Sequence, residues 1–316
     1  MESRVIQGIC ISSRLEKDYL TAKDYILQLT PDVEVIPFTT VLKDITLLEK
    51  CDFIFTIGGD GSVAWVVREF FSHYSRVDLL KPIVPIIRSS SVGYLMQMKF
   101  AEREFLKGYQ HIIDRKYSIV NRTVLSTTVG KRRFIAVNEI FISCSPRLAV
   151  FSLKMPNVGS TVTSMTNTMA DGVMVVSSIG STGWSLSHQG MINLNEDTLQ
   201  IMFVGGIHSA ANFVVPRQPI RIEINLKNSP ITEETIQAYQ NQRKTRGIPE
   251  DYDAEETLDI LFGTKVIVDG KVEGFGITEI EIDSSLEVPF VFMQKETNMD
   301  KARKLTEQPN VKKLSY

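Results

Sequence analysis

The chain of 316 residues carries 35 Lys and Arg against 37 Asp and Glu, for a formal net charge of −2, with 43% hydrophobic and 23% charged side chains. That balance is ordinary for about two globular domains, each able to bury a core without staples. It gives no basic, aromatic-interleaved stripe of the kind nucleic acids select, and no apolar run reaches the ~18 residues of a membrane span.

Three cysteines, Cys10, Cys51 and Cys144, sit far apart in apolar runs. An odd, scattered set reads as reduced thiols, and the start of the chain lacks a signal or transit pattern, so a cytoplasmic protein is expected. The first ~110 residues alternate strand and helix patterns, as α/β folds do. Strands are expected at 5–12, 33–38, 52–58 and 82–87, and helices at 14–29 and 41–50. A third strand, "DFIFTIG", runs into Gly58-Gly59-Asp60-Gly61-Ser62, and a helix pattern opens at Ser62 with Val63, Val66, Val67, Phe70 and Tyr74 on one face. After about residue 117 the runs become β-branched and closely spaced: "SIVNRTVLSTTV", "RFIAVNEIFISC", "LAVFSLKM", "VMVVSS", "LQIMFVG", "IRIEINL", "TKVIVDG", "TEIEID", "VPFVFMQ". Many short strands with few helices predict a sandwich-like β domain. The fold expected is therefore α/β plus β. A Rossmann-like α/β domain spans 1–117 and a β-sandwich-like domain 118–289. An acid-rich inserted loop covers 228–262, and the tail 290–316 is placed back on the first domain.

An Asp-Gly pair is by itself an ordinary turn. Here a buried-type strand, two glycines, an acid and a helix start come together at the carboxyl end of a strand, where open α/β sheets bind ligands and helix N-termini favour anions. No Lys follows as a P-loop requires. The match of Gly59, Gly61 and Ala64 to a dinucleotide fingerprint places Asp60 against a pyrophosphate, and Arg88 stands where the ribose-binding acid belongs. What remains is an acid cradled by phosphate-binding backbone, suited to phosphoryl transfer.

Two further places stand out. Asn138-Glu139 interrupts the apolar run "FIAVNEIFI", and adjacent strand residues face opposite ways, so one polar side chain is buried unless a partner holds it. Gly180-Ser181-Thr182-Gly183-Trp184 is a hydroxyl-rich turn after another apolar run; alone it reads as a turn with a helix cap. His73, His111, His188 and His208 lack metal-like spacing, and Trp65 reads as core packing.

In order and spacing, "GGDGS", "NE", "ADG…GSTGW" and "VDG" resemble the NAD kinase family over about residues 50–275. The resemblance implies transfer of a phosphoryl group from ATP to the 2′-hydroxyl of the adenosine ribose of NAD, making NADP, with Mg2+ or Mn2+ accompanying ATP. It implies Asp60 as the acid activating that hydroxyl and Gly58, Gly59, Gly61 and Ser62 as the phosphate loop, where Arg88 adds a cation or pairs with an acid. Asn138 and Glu139 fall on the ribose hydroxyls. Ser181, Thr182, Gly183 and Trp184 fall on the adenosine pocket, and Tyr94 on an aromatic turn. Asp171 matches an acid that reaches the NAD of a neighbouring subunit, so a homodimer or homotetramer is implied. No protein-held metal, membrane or nucleic-acid partner is expected. Ser62 for Thr, Trp184 for Tyr and Ser178-Ile179 for Pro-Thr depart from the family pattern. A lipid kinase sharing the GGDG loop, and a non-catalytic nucleotide-binding regulator, are the alternatives.

Overall fold

The computed structural model describes residues 6–88, 95–144, 149–156, 163–193, 195–206, 212–226 and 263–293, the side chains of 163–166 excepted. Strands β1 (Gly8–Ser12) and β3 (Phe53–Gly58) are buried at every position. That is the mark of parallel strands covered on both faces. With β2 (Glu34–Pro37) and β4 (Ile83–Ile87) they pair parallel in the order β2-β1-β3-β4. Alternate residues of β1 and β3 feed two cores. Ile9, Ile11, Phe55 and Ile57 meet α1 (Glu16–Leu29) on one face. Cys10 and Ile54 meet α2 (Phe38–Val41), α3 (Thr46–Glu49) and α4 (Asp60–His73) on the other. The two-residue β5 (Met98–Lys99) and α5 (Glu102–Ile113) follow, and Phe105, Tyr109 and Ile112 seat α5 beside α1.

Two local expectations shift. The helix expected over 41–50 is divided, because Asp44 accepts the backbone N–H and hydroxyl of Thr46 at 3.0 and 2.7 Å and turns the chain there. The helix after the glycines begins at Asp60, two residues earlier than expected, with Gly59 as its N-cap.

The later strands are β6 (Ser118–Thr123), β7 (Leu125–Val129), β8 (Arg132–Ala136), β9 (Glu139–Ser143), β10 (Ala149–Met155), β11 (Thr163–Ala170), β12 (Gly172–Val176), β13 (Thr198–Val204), β14 (Phe213–Pro216), β15 (Ile220–Leu226), β16 (Lys265–Val268), β17 (Lys271–Phe275), β18 (Glu279–Asp283) and β19 (Glu287–Phe292). The one-turn α6 (Trp184–Ser187) lies between β12 and β13. Two antiparallel sheets, β11-β10-β15-β18-β7-β8 and β14-β13-β12-β9-β16-β17, enclose a core to which Phe151, Ile222 and Ile282 come from one side and Ile140, Val173 and Ile201 from the other. This is the α/β plus β-sandwich architecture read from the pattern.

Strand membership divides the chain differently from a cut at residue 117. β6 stays in the first sheet, and β19 inserts between β4 and β6. The chain crosses to the sandwich between Thr123 and Leu125 and returns only after Asp283. The run "RFIAVNEIFISC" is not one strand either: β8 and β9 lie in different sheets, with the break at Val137-Asn138. The expected insert 228–262 and the tail beyond residue 293 lie outside the described residues. All three cysteines are free and buried. Among the described residues no helix is long and apolar enough to cross a membrane.

Candidate active site

At the end of β3, Gly58 has φ 156°, and a side chain there would run into the Ser62 hydroxyl. The sequence needs glycine for the chain to swing directly from strand to helix. Asp60 is the first residue of α4, half-buried, and its Oδ1 accepts the Leu95 N–H at 3.1 Å. Gly61 is exposed, and a Cβ on it would meet nothing within 4 Å among the described residues, which therefore give no steric reason for glycine there. The first-turn N–H groups of a helix generally lack partners within it and, with the helix dipole, attract anions; here the Ser62 N–H already donates to the Gly59 carbonyl at 2.8 Å.

The remainder of α4 determines what faces this loop. Val63, Val66 and Val67 pack in one core with Ile135, Val137 and Ile179 of the sandwich side. The helix that presents Asp60 therefore also fixes the two segments bearing the other expected motifs.

Glu139 opens β9 and is only 3% exposed. Its Oε2 is buried and, among the described residues, without a hydrogen-bond partner. Burial, with the Asp269 carboxylate adding, pushes its pKa up to about 8. Asp269 explains both this and the break before β9. It sits with Gly270 in the tight β16–β17 turn, both at positive φ. Its carboxylate accepts the N–H groups of Val137, Asn138 and Glu139 at 2.9, 2.8 and 3.3 Å. Three successive N–H groups thus bond a side chain instead of continuing a strand ladder. The Asp269 N–H in turn donates to the Glu139 carbonyl at 3.1 Å. Burial raises the Asp269 pKa, while the three N–H bonds and the field of Arg68 on α4 pull it back. Both carboxyls are thus held above their ordinary range, Glu139 by burial and its neighbour's charge and Asp269 by burial against its three N–H bonds. Asp269 enters the sequence reading only within the "VDG" motif and without a role; its Asp-Gly signal marks a hairpin turn but carries no information about a partner 130 positions away.

The second turn lies directly beside the first segment. Val176 pairs with Glu139, the Ser177 N–H donates to the Asn138 carbonyl at 2.9 Å, and Gly180 lies so close to the Asn138 backbone that a Cβ would clash. Trp184 is 37% exposed and stands edge-on to Phe141, with centroids 5.3 Å apart. Thr182 is partly exposed, its hydroxyl donating to the Ile179 carbonyl at 3.1 Å. Ser181 differs: it is fully buried, and its hydroxyl lies 2.7 and 2.9 Å from the carbonyls of Ser178 and Asn193, so it braces the turn from within. Ser178 donates to Glu196 Oε2 at 2.6 Å, and Glu196 pairs with Arg122 of β6, which ties this turn to the first sheet.

Two expected residues stand elsewhere. Arg88 donates its backbone N–H to the Gly58 carbonyl at 3.2 Å, but its guanidinium is paired with Asp18 on α1, the acid-pairing alternative. Asp171 lies at the far end of β12 from Ser177, about 20 Å along the strand. Its carboxylate is packed on Gly205, and its backbone bonds Val204 and Cys144. Tyr94 lies outside the described residues.

No family model matches the chain. Curated relatives do. An NAD kinase of Chloroherpeton thalassium is 33% identical over 150 residues, 46% of this chain and 47% of that protein. One from Chlorobium phaeobacteroides is 30% identical over 149 residues, 45% and 46%. One from Helicobacter pylori is 28% identical over 176 residues, 54% and 57%. The chain spans about half the length of the curated relatives it matches. Among solved structures, yeast NADH kinase complexed with NADH superposes with TM-score 0.69 at 18% identity, covering 98% of this chain and 89% of that one. An Archaeoglobus fulgidus NAD kinase in complex with ATP gives 0.62 at 17% identity, covering 94% and 99%. With a GGDG loop, an Asn-Glu segment and a GSTG turn arranged about one core, the chain is similar in sequence over about half its length to curated NAD kinases and shares the fold of the solved NAD and NADH kinases.

Proposed function

We propose that the protein is an NAD kinase that moves a phosphoryl group from ATP to the 2′-hydroxyl of the adenosine ribose of NAD. The observation that supports this reading is the packing of α4, which opens on Asp60, in one core with Ile135, Val137 and Ile179, the residues that flank Asn138-Glu139, whose Glu139 Oε2 is unpartnered among the described residues, and the GSTG turn. Donor phosphates are received by the N–H groups of the first turn of α4. Asp60, held through Oδ1, takes the proton of the attacking hydroxyl. Asn138 and Glu139 hold ribose hydroxyls, and Thr182, Gly183 and Trp184 line the adenosine. Asp269 acts through them, keeping their backbone in place.

Among the described residues no group of three or more His, Cys, Asp or Glu forms a cage for a metal. Mg2+ or Mn2+ would accompany the donor's phosphate oxygens, with Asp60 the carboxylate at hand, and would supply charge neutralisation there. We further place the protein in the cytoplasm as a homodimer or homotetramer, in which Asp171 serves a neighbour's site; its position at the far end of β12 supports that reading over a role within its own subunit. A lipid kinase of the GGDG type has no use for the 138–139 and 180–184 pair.

The test is Asp60→Asn. NADP formation from ATP and NAD should fall by at least about 10²-fold, the usual contribution of a general base, while calorimetric NAD affinity stays within twofold. Undiminished turnover in that variant removes Asp60 from the chemistry.

A further inference from the structure

The chain passes between the first sheet and the sandwich at two places, from β6 to β7 at Val124 and from β18 back to β19 over 284–286. The two passages touch, for the Val124 N–H donates to the Leu286 carbonyl at 3.0 Å. One sandwich loop grips this junction. It carries Glu196, between the GSTG turn and β13, and its shape is fixed on both sides of that residue. Asn193 Oδ1 accepts the Asn195 N–H at 3.2 Å and the Thr198 hydroxyl at 3.1 Å, and Asn195 Oδ1 accepts the Asp197 N–H at 3.0 Å. Asn side chains bonded in this way to nearby backbone hold a loop in one conformation. Glu196 is therefore presented from a fixed backbone.

Glu196 is engaged in three directions. Its Oε2 accepts the hydroxyl of the buried Ser178 at 2.6 Å. Its Oε1 pairs with Arg122 of β6, itself buried, whose guanidinium lies 4.9 Å from the ring centroid of Phe292 on β19, a distance at which a cation and a ring face attract. Its carbonyl accepts the Thr123 hydroxyl at 3.2 Å, and Arg217 donates to that same hydroxyl oxygen at 2.7 Å and to Glu287 at 2.5 Å. The carboxylate thus links the turn to β6 directly and to β19 through Arg122. The neighbouring serine holds the turn from the other side: the Ser177 hydroxyl donates to the Val137 carbonyl at 2.6 Å. Two successive serines therefore suspend the turn between the 137–139 segment and the junction. Ser178 stands where the family pattern has Pro, which has no hydroxyl to donate, so this link belongs to the present sequence.

We infer that Glu196 is a positioning residue for the proposed transfer: through Ser178 and Arg122 it fixes the turn that receives the acceptor's adenosine relative to the sheet that carries Asp60. The inference rests on the proposed kinase reading and adds what aligns its two halves. Asp60 follows β3 of the first sheet, whereas Thr182, Gly183 and Trp184 follow β12 of the sandwich. A displacement of about 1 Å between reacting groups can cost roughly 10²-fold in rate. The apolar core around α4 holds the two units together, but apolar attraction has no direction. Hydrogen bonds do, and Glu196 spans the two units with them. It acts through Ser178 and not on the substrate.

The link can be cut at either end. Ser178→Ala frees the turn and leaves the Glu196–Arg122 pair in place. Arg122→Met combined with Glu196→Gln frees β6, removes both charges together so that neither is stranded in the interior, and leaves an amide oxygen for Ser178. Steady-state NADP formation from ATP and NAD, with urea unfolding alongside, compares the wild type, these two variants and the triple variant. We expect kcat/KM for NAD to fall about tenfold in each, the scale of one hydrogen bond to a charged group, with KM for ATP within twofold of wild type. The triple variant should be within twofold of either, because a link cut once is already cut. Amide exchange at 179–184 should quicken at least tenfold in Ser178→Ala without substrate. Unchanged kcat/KM for NAD in either variant, equal rises in KM for ATP and NAD, or losses that add in the triple variant overturn the positioning role and leave the kinase reading standing; a purely structural tie would lower the urea midpoint alone. Wild-type protein that forms no NADP overturns the kinase reading and this role with it, and unchanged exchange at 179–184 then removes the link itself.

Discussion

Glu139 and Asp269 put two carboxyl groups into one buried place, and only one of them is fully satisfied. Asp269 holds three N–H groups, whereas Glu139 Oε2 awaits a donor. In the folded protein Glu139 keeps its proton to about pH 8, against 4.5 ordinarily. The folded state therefore binds the extra proton across that window, and its stability falls as pH rises from about 5 to about 8. Glu139→Gln should flatten this slope, matching wild type near pH 4 and exceeding it near pH 9 by on the order of a few kcal/mol; urea unfolding at a series of pH values measures it. Under the proposed role of Glu139, ribose hydroxyls donating to it would favour its charged form, so NAD binding at pH 7 should release a proton. Calorimetry in phosphate and in Tris would then give different apparent enthalpies, and equal enthalpies would mean Glu139 does not titrate on binding. At this scale the sequence was legible wherever a residue's meaning was local. Asn138-Glu139 announced itself as polar residues inside an apolar run. Asp269 did not, because its bonds reach back across the whole sandwich, and Ser181 was misleading because its hydroxyl is consumed by carbonyls 3 and 12 positions away.

Among the elements, α4 has two roles that impose different demands on its sequence. Its valines must pack against the sandwich, and its first turn must stay open. Gly61 meets the second demand against intrinsic preference, since alanine is the better helix former by up to about 1 kcal/mol. Gly61→Ala should therefore raise the melting temperature by roughly 1–3 °C while kcat/KM for ATP falls at least tenfold, because the methyl occupies the space meant for phosphate. A stabilised variant with unchanged kinetics would make Gly61 incidental. The strand-turn-helix reading of 53–73 was accurate to two residues, since hydrophobic period and glycines are local signals. The long runs 118–129 and 133–144 each conceal a change of sheet. β-branched residues suit any sheet, so composition does not distinguish a strand that continues from one that transfers at Val124 or Val137.

At the scale of the whole molecule, the Asp60 loop, the 137–139 segment and the 177–184 turn are brought together only through long-range ties: the shared core around α4, and the Ser178–Glu196–Arg122 connection to β6. Asp171 is left outside this cluster. If it completes a neighbour's site, a mixture of Asp171→Asn and Asp60→Asn subunits should recover activity that neither variant has alone, since a hybrid can contain one intact pair. A fully active monomer by light scattering would return Asp171 to its contact with Gly205. The placement of β19 between β4 and β6 also bears on how the chain is made. The first sheet lacks its inner strand until residue 292 has left the ribosome. At roughly 5–20 residues per second, β4 and β6 wait about ten to thirty seconds after β6 emerges. During translation the nascent α/β unit presents open strand edges of the kind that recruit other chains. Arrested chains ending before residue 287 are the species on which chaperone dependence should concentrate.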